Sequence, residues 1–253
     1  MLLRIFLVLF SLFFWMPDVI ASPLAQRLEQ YPKWHNKPPV KIAQGDLSYP
    51  DWLAGTWNAT STLVEQTAPL APEIVTPGFE DNQRYIGQPV EFSVRFGTEY
   101  FIPQKSLFSK LSTKAKTPQV VADRVYNGTN IARAYLGADN ILRVQTDPDN
   151  PNKQITLLKG DRQLSSQVTA RASENPQSDH FIASEVTKQL FRSPERIYLN
   201  EVETTSDYHQ VDSGAVEATQ ITAIYLSPQD PDYFRAKDRP VAIYRYRLQL
   251  HKL

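Results

Sequence analysis

The chain contains no cysteine. That excludes disulfides and a lipid-modified cysteine at an export-signal cleavage site. Neither sign of charge is in excess: 27 Lys and Arg stand against 27 Asp and Glu, for a formal net charge of zero. A nucleic-acid binder has to neutralise several phosphates, so this balance argues against that partner. No Walker loop, Gly-x-Gly-x-x-Gly fingerprint or nucleophile motif occurs. The four histidines, His35, His180, His209 and His251, lack metal-ligand spacing. The sequence therefore names no metal, no cofactor and no catalytic residue.

What is present begins with an apolar opening. Met1 to Arg4 brings one positive charge, Ile5 to Trp15 is almost continuous apolar surface, and Val19-Ile20-Ala21 puts modest side chains before a cut. That order predicts a cleavable secretory signal over residues 1–21. Its apolar run is shorter than the about 20 residues of a spanning helix. The expected mature chain starts at Ser22, is exported, and is long enough to bury one substantial core. Residues 22–50, rich in Pro, Lys and Gln, predict an irregular arm, with a short turn of helix near Ala25 to Gln30, whose Trp34 docks on the domain that follows.

From Gly55 the pattern is that of strands. Gly55 to Gln66 interleaves Thr, Val and Trp with polar residues. Thr67 to Gly87 carries Pro69, Pro72, Pro77 and Gly78, the composition of a long, stiffened loop. Val90, Phe92, Val94 and Phe96 then alternate with Glu91, Ser93 and Arg95, a half-buried strand at period two. Val121, Val125, Gly128, Ala132 and Tyr135 recur at spacings of four, three, four and three, which suits one helix face or two short helices divided at the poor interior pair Asn127-Gly128. After Ile141, turn residues punctuate a meander. In it Leu164, Ser166, Val168, Ala170 and Ala172 form one expected face, and Ala242, Tyr244, Tyr246, Leu248 and Leu250 another. Eight or more successive antiparallel strands usually close or sandwich to remove their edges.

Leu53-Ala54-Gly55-Thr56-Trp57 resembles the Gly-x-Trp opening of the lipocalins and the wider calycin group. Its place at the head of the first strand, the long loop that follows, the meander and the late arginines extend the likeness. The resemblance implies an antiparallel barrel in which Gly55 permits a tight entry and Trp57 closes the floor. Arg245 or Arg247 would pack across the indole, a contact of about 0.5–2 kcal/mol. It also implies a lid over the mouth, with Pro72, Pro77 and Phe79 in the loop. Tyr49 to Trp57, Ala71 to Phe79 and Asn130 to Gly137 further resemble an uncharacterised family of cyanobacteria and chloroplasts. That likeness implies a location near photosynthetic membranes, in the thylakoid lumen or the periplasm, and brings no activity. The expected fold is all-β: an antiparallel lipocalin-like barrel over residues 51–253, with a long loop or helical insertion from Glu99 to Asn140.

Phe92, Val94, Phe96, Val168, Tyr244 and Tyr246 are the candidate lining of a cavity for a small apolar ligand, unless they simply fill a packed core. Lys105, Lys110, Lys114 and Lys116 lie on a stretch with no acid between Glu99 and Asp123. They are candidates for contact with an anionic lipid surface or an acidic membrane-complex protein, with a solvated loop as the plainer alternative. Two function classes follow. One is a carrier of a small hydrophobic molecule such as a pigment or lipid. The other is a non-enzymatic assembly or interaction factor for a photosynthetic membrane complex. A chromophore lyase ranks below both, because the calycin lyases work on the cytoplasmic side.

Overall fold

The computed structural model describes residues 22–100 and 118–253. The expected signal at 1–21 and Lys105, Lys110, Lys114 and Lys116 lie outside them. Eleven strands account for most of the described chain: β1 (Lys41–Ile42), β2 (Gly55–Thr67), β3 (Pro89–Tyr100), β4 (Pro118–Ala122), β5 (Ile141–Asp147), β6 (Asn150–Leu158), β7 (Arg162–Gln177), β8 (His180–Arg192), β9 (Ile197–Asp212), β10 (Ala215–Leu226) and β11 (Ala242–Lys252). Three helices accompany them: α1 (Pro23–Glu29), α2 (Arg124–Leu136) and α3 (Tyr233–Ala236). All pairings are antiparallel, and one sheet runs β4-β3-β2-β11-β10-β9-β8-β7-β6-β5. It curls strongly into a half-barrel, so the all-β expectation holds. Insertion of the last strand between β2 and β10 places the chain's C-terminal segment at the centre of this sheet.

Among the described residues β4 and β5 end the sheet without pairing to each other. Exposed edges invite association, and two devices cover these. The first is α2. Asp123 caps its start by accepting from the Tyr126 N–H at 2.9 Å, the arrangement that satisfies a free helix N–H. One turn on, the Asn127 side chain exchanges two hydrogen bonds with the Arg95 backbone, at 2.6 and 3.0 Å, and so prolongs the β4 pairing with an amide. The opposite flank of α2 meets β6: a Cβ at Gly128 would stand 2.6 Å from the Gln154 side-chain amide, which would have to swing aside for any larger residue. Ala132 then packs on the cluster of Ile141, Val144 and Leu158, as Phe191 does. The helix thus bridges the two sides of the opening. The second device is the segment that follows β1. β1 pairs with β7, and farther along Tyr49 bridges to Val120 on β4.

Alternation decides which residues face inward. Trp57, Ala59, Val94, Phe96, Phe181, Ala183, Val216 and Leu250 form the largest buried cluster, on the concave face. The expected apolar face of β11 is real, with Ala242, Tyr244 and Leu250 buried and Arg247 exposed. The expected face of β7 is not continuous. Thr169 is an extra residue at a bulge between Val168 and Ala170, held by its hydroxyl on the Val186 carbonyl and by its own carbonyl on the Ala43 N–H. An extra residue inverts the alternation beyond it. Val168 therefore shares the concave face with its partner Thr187, while Ala170 and Ala172 point outward beside Val186 and Ser184.

The arm is better ordered than its composition suggests. Trp34 is buried, with Leu28 and Tyr31 beside it, on Ile221, Ala223, Tyr225 and Ile243 of the convex face. Under it lies a buried ion pair, Arg27 with Glu203.

Candidate functional site

The Gly-x-Trp element owes its geometry to register. Pairing of β11 with β2 sets Lys252 opposite Trp57, Arg245 opposite Glu65 and Arg247 opposite Thr62. The cation over the indole is consequently Lys252, its Nζ 5.3 Å from the ring centroid. Arg245 and Arg247 do not close the floor: Arg245 lies over Tyr31 of the arm, 5.3 Å from the ring, and Arg247 is exposed. Gly55 explains the choice. It sits at φ +129, and a Cβ there would stand 2.9 Å from Lys252 Cε, so glycine provides the space through which the lysine crosses.

Above this floor, between the concave face and α2, lies an inner cavity of about 220 Å³. Phe92, Val94, Phe96, Leu248 and Leu250 supply apolar walls, while Tyr49, Tyr135 and Tyr208 add rings, and Ser61, Asn127 and Gln220 add polar edges. An outer cavity of about 340 Å³ continues toward the mouth, walled by Leu63, Tyr246, Tyr85, Asn82 and Gln88. The two share Ser61 and Tyr135, and there the Tyr135 hydroxyl donates to Ser61 Oγ at 3.0 Å. Tyr135 on α2 and Ser61 on β2 therefore meet at the boundary between the two cavities.

Among the described residues, none that borders the two cavities carries an ionised side chain. Burial raises the Tyr49 hydroxyl well above its usual range, with the neighbouring Tyr208 and Glu185 reinforcing it. Burial also raises Tyr208, Tyr135 and Tyr246. All four stay neutral at physiological pH, where a phenol is already protonated. The nearby charges are paired among themselves: Arg124 with Asp46 at 2.5 Å and Arg171 with Glu185 at 2.9 Å.

Of the candidate lining residues, Phe92, Val94 and Phe96 meet in the inner cavity and Tyr246 in the outer one. Tyr244 instead packs beneath the long loop with Phe79, their rings 5.9 Å apart, and Val168 borders neither cavity. Pro72 and Pro77 are exposed on that loop. Its contribution to the outer cavity comes from residues after Phe79: Asn82, Tyr85 and Gln88. Tyr49, Tyr135 and Tyr208 were not foreseen as lining. They come from three separate elements, and only Tyr135 carried a signal, as the last member of the helix-spaced set.

Residues 41–253 match the model of DUF6816, a domain of unknown function. The chain belongs to that family. No curated protein and no solved structure matches it. Every residue bordering the two cavities falls within the DUF6816 segment, whereas Arg27 and Trp34 of the docked arm precede it.

Proposed function

We propose that this DUF6816 protein is an exported, lipocalin-like carrier that takes up a small apolar ligand, of the pigment or lipid class, in the cleft under α2. The observation that carries the proposal is the adjacency of an aromatic inner cavity to an outer one, the two meeting at the Tyr135–Ser61 contact. Ligand sites are concave, mostly apolar and edged by a few fixed polar groups, with volumes of about 300–1,000 Å³. The two chambers reach that range together but not through the inner one alone. Displacing Tyr135 from Ser61 would join them at the loss of one hydrogen bond, about 0.5–1.5 kcal/mol net. Burial of the ligand returns roughly 25 cal/mol per Å² of apolar surface. With neutral walls, affinity has to come from that burial and from hydroxyl or amide contacts, which favours an uncharged or weakly polar guest. Residence in a thylakoid lumen or periplasm belongs to the same proposal. It rests on the apolar N-terminal opening.

The test is native mass spectrometry, with pigment and lipid extraction, on protein purified from its own compartment. A copurifying small molecule is expected. Phe92→Arg, which sets a guanidinium against the cavity, and Leu248→Trp, which fills it, should both abolish copurification while far-UV circular dichroism stays unchanged. An empty native protein that also takes up no pigment or lipid offered in vitro would defeat the carrier proposal. It would leave the interaction factor, for which the 81% exposed Phe234 on α3 is the natural contact to mutate.

A further inference from the structure

On the convex side of β8 and β9, behind the wall that Tyr208 gives to the cleft, three polar side chains converge. β8–β9 register sets His180 opposite His209, and Asp207 lies two residues before His209 on the same strand, hence on the same face. Asp207 Oδ1 is 2.6 Å from His180 Nε2 and 3.3 Å from His209 Nε2. The two imidazoles stack with centroids 4.0 Å apart and planes 24° from parallel. One ligand atom from each of the three residues fits within a 4.8 Å span.

We propose that His180, Asp207 and His209 form a site for a divalent first-row transition-metal ion, of which Zn²⁺ and Cu²⁺ are the best matches. Three features support this. Two imidazole nitrogens and a carboxylate are a donor set for such metals, whereas Mg²⁺ and Ca²⁺ prefer all-oxygen shells. In a tetrahedral site with bonds of 2.0–2.1 Å the ligand atoms stand about 3.3 Å apart. The His209–Asp207 separation has that value already, and the His180–Asp207 pair needs to open by only about 0.7 Å to reach it. Finally, both strands are interior members of the sheet, so the backbone presents the ligands from a rigid base, while His209 is 53% exposed and leaves an entry path. Three protein ligands leave at least one position for water, the pattern of an open rather than a sealed zinc site. Glu217, the register partner of His209 on β10, adds a second carboxylate to the same face. The spacing rule failed on these histidines because the ligands are assembled by strand pairing across 27 and 29 positions, not by a local motif.

The experiment is calorimetric titration of the chelator-treated, full mature protein with Zn²⁺, repeated with Cu²⁺ and Mg²⁺, and a Co²⁺ titration followed by its visible absorption. One equivalent of Zn²⁺ is expected to bind, Cu²⁺ more tightly, Mg²⁺ not at all, and Co²⁺ is expected to develop the intense band of a tetrahedral site. Loss of even an outer-shell partner of a metal costs roughly 10–100-fold in affinity, so His209→Ala should weaken Zn²⁺ binding by at least that factor. Asp207→Asn, nearly isosteric, should do the same. His35→Ala, on the exposed arm, should change nothing. No stoichiometric uptake would overturn the site and leave a hydrogen-bonded His–Asp–His group. Zn²⁺ binding that is equal in the His209→Ala, Asp207→Asn and His35→Ala proteins would overturn it as well.

Discussion

Arg27→Ala is expected to lower the unfolding free energy by about 3–5 kcal/mol, the usual result of removing one partner from a buried ion pair. Arg27 and Glu203 are 4% and 0% exposed, and the guanidinium meets both carboxylate oxygens at 2.6 Å through Nε and Nη2. The pair is fully supported. Tyr225 donates its hydroxyl to Glu203 Oε2 at 2.7 Å, Thr205 Oγ1 stands 2.8 Å from Oε1, and the Trp34 ring lies under the guanidinium at 3.9 Å from Cζ. Burial, and next the Glu203 charge, hold the Tyr225 phenol in its protonated form. Take away Arg27 and the carboxylate keeps its hydroxyl donors but loses its counter-charge. A helix of seven residues has no stability of its own, so the arm then depends on its remaining contacts, among them Leu28, Tyr31 and Trp34 on the convex face and the Lys37–Glu201 ion pair, to stay docked. Urea unfolding measures the loss, and protease sensitivity between Gln30 and Lys37 shows whether the arm has lifted to hydrate Glu203. Adding Glu203→Gln to the alanine variant removes the stranded charge and should recover part of the loss, as a double-mutant cycle would register. A change within about 0.5 kcal/mol, the surface value, would mean that the pair does not hold the arm.

The sequence already contained much of the fold, for physical reasons that are local. Phe92, Val94 and Phe96 alternate with polar residues, and the strand they form faces one cavity. Val125, Gly128, Ala132 and Tyr135 announced α2, because helix spacing is written in neighbouring residues, while Val121, the first member of the same spaced set, lies in β4 instead. What stayed hidden depends on pairings between distant strands. Thr169 is one residue, yet as a bulge it turns Ala170 and Ala172 to the other face. Arg245 and Lys252 are equally plausible cations for an indole until register puts Lys252 opposite Trp57. Arg27, among Gln26, Leu28 and Glu29, looks like a solvated charge, and its buried partner is 176 positions away. His180 and His209 meet only because β8 and β9 run antiparallel in that register.

Trp57→Ala is expected to cost about 3–5 kcal/mol, as truncations of large aromatic side chains in cores do. Trp57 is wholly buried in the main cluster, against Leu53, Val94, Phe96, Phe181 and Leu250 among others. Three losses combine in alanine. The indole's packing goes, and with it the Lys252 contact of about 0.5–2 kcal/mol. The Leu53 carbonyl also loses the 2.8 Å hydrogen bond from Nε1 that ties the turn before β2 to its first residues. Trp57→Phe separates these effects, because it keeps most of the apolar area and removes the donor. It should cost about 1–3 kcal/mol, the penalty of leaving one buried acceptor unsatisfied. Denaturant midpoints at unchanged slope give both values. If alanine and phenylalanine cost the same, the hydrogen bond to Leu53 rather than packing is what Trp57 contributes. If alanine costs less than about 0.5 kcal/mol, as exposed sites do, the floor of the half-barrel is held by something other than this side chain. The position matters for the cleft too: Val94, Phe96 and Leu250 share the buried cluster with Trp57 and also wall the inner cavity. A void beneath them would let those walls settle, so ligand uptake should weaken in Trp57→Ala even at temperatures where the protein remains folded.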